Sequence, residues 1–191
     1  MNNKTIWDVA IIGCGIAGIY AGYELIKLNP ALKVILIEQG EDIDKRSCPI
    51  VAKKTKECIS CATCAIMRGF GGAGAYSDGK YNFTTEFGGW LSDYLPEDTI
   101  MELINYVDSV NVSFGATEVV YSTESEEALK LEKRALENDL HLLQAKVKHL
   151  GTENNLRILK NINEFLASRV TLRFGTSVIS INAEPDGYVL D

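Results

Sequence analysis

The chain has 191 residues, of which 46% are hydrophobic and 24% charged, the balance of a globular protein with its own core. A formal net charge of -7 argues against a nucleic-acid partner, because neutralising phosphates needs a basic face; an anionic cofactor held by local amides stays compatible with it. No apolar run approaches the roughly 20 residues of a membrane-spanning helix, and Met1 to Lys4 lead into a strand without a signal-peptide layout, so a cytoplasmic location is expected.

In chain order, residues 7–12 form a short apolar run closed by Gly13, the pattern of a buried parallel strand. Residues 15–27 carry Ile16, Ile19, Tyr20, Tyr23 and Ile26 at helical spacing, and Asn29-Pro30 stops them. Val34 to Ile37 is a second all-apolar strand ended by Glu38, which completes a βαβ unit. Residues 40–89 are rich in glycine, cysteine and polar groups without long periodicity, and a stretch this long without elements is normally functional. A helix is expected over 96–110 with Ile100, Leu103, Ile104 and Val107 on one face. A charged helix follows over 123–136, opened by a capping box from Thr123 to Glu126. Leu143, Ala145 and Val147 alternate with Gln144, Lys146 and Lys148, as in a half-exposed strand. Thr152 is the expected N-cap of a helix that turns Leu156, Leu159, Ile162 and Leu166 inward. Strands are expected at 170–174 and 178–181, and the turn Glu184-Pro185-Asp186-Gly187 leads into one more.

Gly13-Cys14-Gly15-Ile16-Ala17-Gly18 is a G-x-G-x-x-G fingerprint placed between a strand and a helix, as dinucleotide binding requires. Gly13 permits the tight turn, Gly15 lets backbone approach a pyrophosphate, and Gly18 lets helix and strand pack closely. The helix N-terminus adds free N–H groups and a positive dipole end. Glu38, 20 residues beyond Gly18, stands where a carboxylate accepts from ribose hydroxyls, which disfavours NADP and its 2′-phosphate.

A second cluster, Gly69-Phe70-Gly71-Gly72-Ala73-Gly74-Ala75-Tyr76-Ser77-Asp78-Gly79-Lys80, removes side chains that would keep backbone away from a flat or anionic ligand. Ser77, Asp78 and Lys80 offer polar groups beside it. The bland alternative is a flexible surface loop. The expectation is a segment lying against a cofactor beside the first turn, with its order dependent on that cofactor.

The fingerprint, Glu38-Gln39-Gly40, Cys48-Pro49-Ile50, the Cys58-x-x-Cys61-x-x-Cys64 run and residues 71–80 together resemble the poorly characterised FAD-dependent dehydrogenases of the glutathione-reductase-like flavoprotein class. Lys148-His149-Leu150-Gly151-Thr152-Glu153 is similar to the same family's basic-His-Leu-Gly-Thr-acid element, with lysine in place of arginine. The resemblance implies an α/β fold: a Rossmann-like FAD-binding domain, a parallel sheet with helices, over 1–89 and 151–191, incomplete at its C-terminus. An inserted α/β segment over 90–150 would belong to a substrate domain. It further implies FAD as cofactor, NAD(P)H as a co-substrate of the longer form, and FAD contacts at Gly13, Gly15, Ile16, Ala17, Gly18, Glu38, Gln39, Gly71, Gly72, Ala73, Gly74, Ser77, Asp78, Gly79 and Lys80. Family members are longer and carry a later Gly-Asp segment absent here, so the chain is expected to be an N-terminal portion that alone binds FAD weakly. Its partners would be a small-molecule substrate and the remaining C-terminal portion or another chain.

Five cysteines, odd in number and tightly spaced, read poorly as a disulfide framework. Cys58, Cys61 and Cys64, with Cys48 upstream, have spacing that suits an iron–sulfur cluster or zinc. The ferredoxin-type pattern, however, has its fourth cysteine downstream and followed by proline. Redox thiols beside a flavin and inert packed thiols stay open; Cys14 reads as a small space-filler. Lys53, Lys54 and Lys56 read as a solvated loop or a phosphate contact. His149 is a candidate flavin or substrate contact, and His141 an ordinary packed or exposed residue. No catalytic acid or base is legible. The leading reading is an FAD-dependent oxidoreductase; the alternatives are a thiol-dependent sulfur-transfer enzyme and a dinucleotide-binding fragment without activity of its own.

Overall fold

The computed structural model describes residues 5–143 and 145–191, so the expected strand position Gln144 and the N-terminal Met1 to Lys4 lie outside the described residues. The elements in order are β1 (Val9–Ile12), α1 (Ile16–Leu28), β2 (Val34–Ile37), a 3₁₀ turn (Gly72–Tyr76), β3 (Lys80–Phe83), a second 3₁₀ turn (Leu91–Asp93), α2 (Glu97–Ser113), β4 (Tyr121–Ser122), α3 (Glu126–Leu136), β5 (Lys146–His149), α4 (Thr152–Ala167), β6 (Thr171–Arg173), β7 (Ile181–Glu184) and β8 (Gly187–Leu190). They divide into two units, Met1–Tyr76 with Leu159–Asp191, and Ser77–Ile158.

The first unit is built on a parallel sheet in the order β1-β2-β6, with Val9 opposite Val34 and Ile35 opposite Thr171. All four residues of β2 are buried, which is why that strand reads as unbroken apolar sequence. Asn29 closes α1 by donating its backbone N–H to Leu25, and its side-chain oxygen then accepts from Ala31. Ile19 and Ile26 of α1, Phe70, and Leu159, Ile162 and Leu166 of α4 are buried with β2 in the core. Phe70 meets Phe174 edge-on with centroids 6.3 Å apart. β7 and β8 form an antiparallel hairpin across Pro185-Asp186; the strand expected at 178–181 begins only at Ile181.

The second unit carries an antiparallel sheet in the order β3-β5-β4. β3 lies inside the stretch expected to lack elements. Its four residues are too few to show a period, and its partner β5 is far along the chain, Lys80 standing opposite His149. The segment expected as an insertion over 90–150 lies within this unit, which runs from Ser77 to Ile158 and includes β3 and its partner β5. The capping box from Thr123 does not form. Ser125 is the N-cap of α3, its hydroxyl accepting from Ala128 N at 3.2 Å, because the chain through Ser122 is still extended as β4. Thr152 is the first residue of α4, one position later than a cap. Lys148, 2% exposed, donates to both carboxylate oxygens of Asp108 at 2.8 and 2.6 Å, so a lysine on an alternating strand is paired inside the unit.

Candidate dinucleotide site

The turn after β1 shows why its three glycines are not equivalent. Gly13 has φ +99, a conformation that L side chains avoid. A Cβ on Gly18 would stand 2.0 Å from the Gly13 carbonyl oxygen, so helix and turn meet there with no room for a methyl group. Gly15 is different. Its backbone is ordinary extended chain, and a Cβ there would meet no protein atom within 4 Å. The fold therefore tolerates a side chain at Gly15, and the open space lies ahead of the first turn of α1. That helix has no side-chain cap and no acidic residue in its first turn, so no side chain of its own occupies its positive dipole end. Ile16 and Ala17 are exposed in this turn, and Cys14 is fully buried. Burial, then the carboxylates of Glu38 and Asp42, push the Cys14 thiol up to about 12, so it stays protonated as a small packed group.

Glu38 is buried at the end of β2 and organises the site's backbone. One carboxylate oxygen accepts from Cys14 N at 2.8 Å; the other accepts from Gly40 N at 2.8 Å and Gly69 N at 3.0 Å. A carboxylate has about four lone-pair sites, so three amides leave one, on the oxygen facing Cys14. Sequence spacing suggested a ligand contact; the structure adds that the same group ties three loops together. Gln39 beside it is exposed.

The glycine-rich segment packs on the turn. Gly71 N donates to Cys14 O at 2.8 Å, and a Cβ on Gly72 would come 3.3 Å from Gly15 Cα. The 3₁₀ turn over Gly72–Tyr76 buries Ala75 and leaves Ala73 and Gly74 exposed. Tyr76 donates its hydroxyl to Arg46 O at 3.1 Å, and the Arg46 guanidinium lies 4.7 Å from the Tyr76 ring centre. Arg46 is a residue that sequence reasoning missed. Buried, it donates to Ala65 O at 2.9 Å, Ile66 O at 2.8 Å and Phe70 O at 2.6 Å, pinning the chain that delivers the glycines. Its neighbours in sequence carry no periodicity that could have pointed to it.

Ser77, Asp78, Gly79 and Lys80 belong to the second unit. Asp78 and Lys80 form an exposed pair at 2.9 Å, and hydrogen bonding to Lys80 holds the Asp78 carboxyl below its usual range. Gly79, at φ +64, accepts from Leu150 N at 2.9 Å and turns the chain into β3. The segment that reads as one motif thus splits, its first half shaping the dinucleotide turn and its second half opening a strand. His149 is exposed at the end of β5, and His141 is also exposed.

The thiol run departs from the spacing argument. Cys58 and Cys61 are exposed, Cys48 and Cys64 half-buried, and all are free. Among the described residues, no group of three or more histidine, cysteine or acidic side chains is placed to hold a metal ion. The donors do not fit an iron–sulfur cluster or zinc. Separate local turns, Ala52 N to Cys48 O at 2.8 Å and Met67 N to Cys64 O at 3.1 Å, with Ser60 at φ +49 between them, leave the thiols outside any common metal sphere.

No protein-family model matches the chain. It is 51% identical over 41 residues, 22% of its length, to a mitochondrial L-2-hydroxyglutarate dehydrogenase from Dictyostelium discoideum, covering 9% of that protein. It is 31% identical over 145 residues, 76% of its length, to an uncharacterized protein of Clostridium beijerinckii, covering 24% of that protein. Among solved structures, glycine oxidase from Geobacillus kaustophilus aligns with 97% of the chain at a TM-score of 0.51 and 18% identity. A 3-ketosteroid-Δ4-(5α)-dehydrogenase from Rhodococcus jostii aligns with 99% at 0.52 and 14%. The fold is that of the FAD-binding oxidoreductases. The chain spans about half the length of these two structures, 51% and 43%, and under a quarter of the two relatives. Among the described residues no helix is long and apolar enough to cross a membrane.

Proposed function

We propose that the first unit binds FAD at the turn of residues 13–18 and that the whole protein is an FAD-dependent oxidoreductase acting on a small molecule. The observation that carries this reading is the open space at Gly15, bordered by Gly72 and by the N-terminus of α1, which has no side-chain cap. An FAD pyrophosphate would take the free N–H groups of that helix. The remaining lone pair of Glu38 would accept from a ribose hydroxyl, and the same carboxylate would repel the 2′-phosphate of NADP. Bound FAD would supply hydride or electron-pair transfer; the protein's part is to hold and orient it. Gly71 and Gly72 bring main chain up to the turn without side chains that would obstruct the cofactor.

The test is Gly15→Val in the protein as its gene encodes it. Its Cβ would meet no protein atom within 4 Å, so the thermal midpoint should stay within a few degrees of wild type while FAD retention after gel filtration is lost. Full flavin retention by a folded Gly15→Val protein would refute the site.

A further inference from the structure

We propose that the groove between α2 and β3 in the second unit binds an uncharged small molecule with an apolar body and a hydroxyl or amide head. The groove has a volume of about 340 Å³, inside the range of roughly 300–1,000 Å³ that ligand pockets occupy. A second hollow of similar volume shares Leu91, Ile100 and Ile104 with it, so a longer apolar body has room to extend.

Two side-chain periods build the walls. Leu103, Ile104, Val107, Asp108 and Asn111 follow Ile100 at the spacing of one helix face of α2, and all line the groove. Tyr81 and Phe83, two apart on β3, line it from the strand. Ile100 is buried, but Leu103 and Val107 stay 46% and 37% exposed, so the unit leaves part of this apolar stripe uncovered.

The polar end of the groove sets the head group. Asp108 lines it, and the buried Lys148 donates to both Asp108 carboxylate oxygens while its ammonium lies 5.6 Å from the Phe83 ring centre. The two charges cancel. A ligand anion would meet the Asp108 carboxylate, a ligand cation would meet the Lys148 ammonium, and either would lose hydration among apolar walls. The Tyr81 hydroxyl is engaged by Asn155 at 3.0 Å, and Asn82 is exposed to water. Asn111 is different. It is 5% exposed, and among the described residues its side chain makes no hydrogen bond. Among those residues Thr55 alone has a side-chain oxygen or nitrogen sealed from solvent without a partner, so the Asn111 amide still opens on the groove that it lines. A side-chain amide offers two donors and an acceptor, which a hydroxyl or amide can satisfy without bringing charge.

The experiment titrates the protein as its gene encodes it with hexanamide, hexanoate and hexylammonium near pH 7, read by saturation-transfer NMR of the small molecules. Hexanamide should bind saturably and at least fivefold more tightly than either ion. Asn111→Leu, which keeps the side-chain size but not the amide, should weaken hexanamide about fivefold. Leu103→Trp, at a position with solvent on one side, should fill the groove and remove saturable binding; it carries the test if Asn111→Leu does not fold. An ion bound as tightly as hexanamide, or full affinity in a folded variant of either kind, would overturn the proposal. So would the absence of saturable binding, the result if another part of the protein or a second copy fills the groove. FAD content enters none of these readouts, so the outcome stands apart from the flavin reading.

Discussion

The dinucleotide turn and the cysteine loop are both short motifs defined by residue spacing, yet only one becomes the geometry that its spacing suggests. Gly13, Gly15 and Gly18 sit between a strand fixed by the parallel sheet and a helix with a set rise, so the number of intervening residues translates directly into position. Cys58, Cys61 and Cys64 have the same kind of regular count, but no regular element carries the chain between them, and among the described residues no three of the cysteines are placed to hold a metal ion. Spacing is a distance only where the flanking backbone is regular.

The sharpest way to break this comparison is Gly18→Val. Its Cβ would stand 2.0 Å from a backbone oxygen that cannot swing away, so a loss above about 4 kcal/mol is expected. Urea unfolding measures it, and a loss near 1 kcal/mol would mean that the turn is softer than the packing implies. Next comes alkaline stability. The unfolded chain releases the Cys14 proton near the ordinary value of 9.0, whereas the folded chain keeps it to about 12. The native state thus binds more protons across that interval, and its stability should fall by up to roughly 4 kcal/mol as pH rises through it. Unfolding curves of Cys14→Ser, which has no thiol to titrate, should show a flatter dependence. Glu38→Gln should cost about 2 to 3 kcal/mol, because an amide presents an NH₂ to at least one N–H that now meets carboxylate. Smallest of all, the joint change of Cys58 and Cys61 to Ser should move stability by less than about 0.5 kcal/mol, since both are exposed and hold nothing. A large loss there would restore a structural role to the thiol run.

The sites of these effects differ in how far they could be read in advance. The βαβ unit, the fingerprint and the helix at 152–167 were legible because each repeats a local period. Arg46 was not, since its three carbonyl partners lie 19 to 24 residues away and have no side-chain identity to read. Glu38 was half legible. Its position at the strand end is a matter of counting, but its bond to Gly69 depends on where a loop 31 residues later is folded. Lys148 read as a solvent-facing strand residue until α2 supplied Asp108, 40 residues away, as its partner. Ser125 displaced Thr123 as the cap because β4, two residues long, has no period of its own.

By itself the sequence determined the elements whose cause is short-range: the buried strands, the helix stops, and a glycine turn that only a helix N-terminus after a strand would need. Such features follow from steric limits on φ and ψ and from side-chain periods, which act within a few residues. The tertiary structure alone decided which glycine leaves space for a ligand and which is closed by backbone. It also decided that residues 69–80 serve two units and that, among the described residues, no three of the cysteines are placed to hold a metal ion. Those outcomes depend on which distant groups meet, and buried donors, acceptors and charges settle that by finding partners wherever the fold brings them.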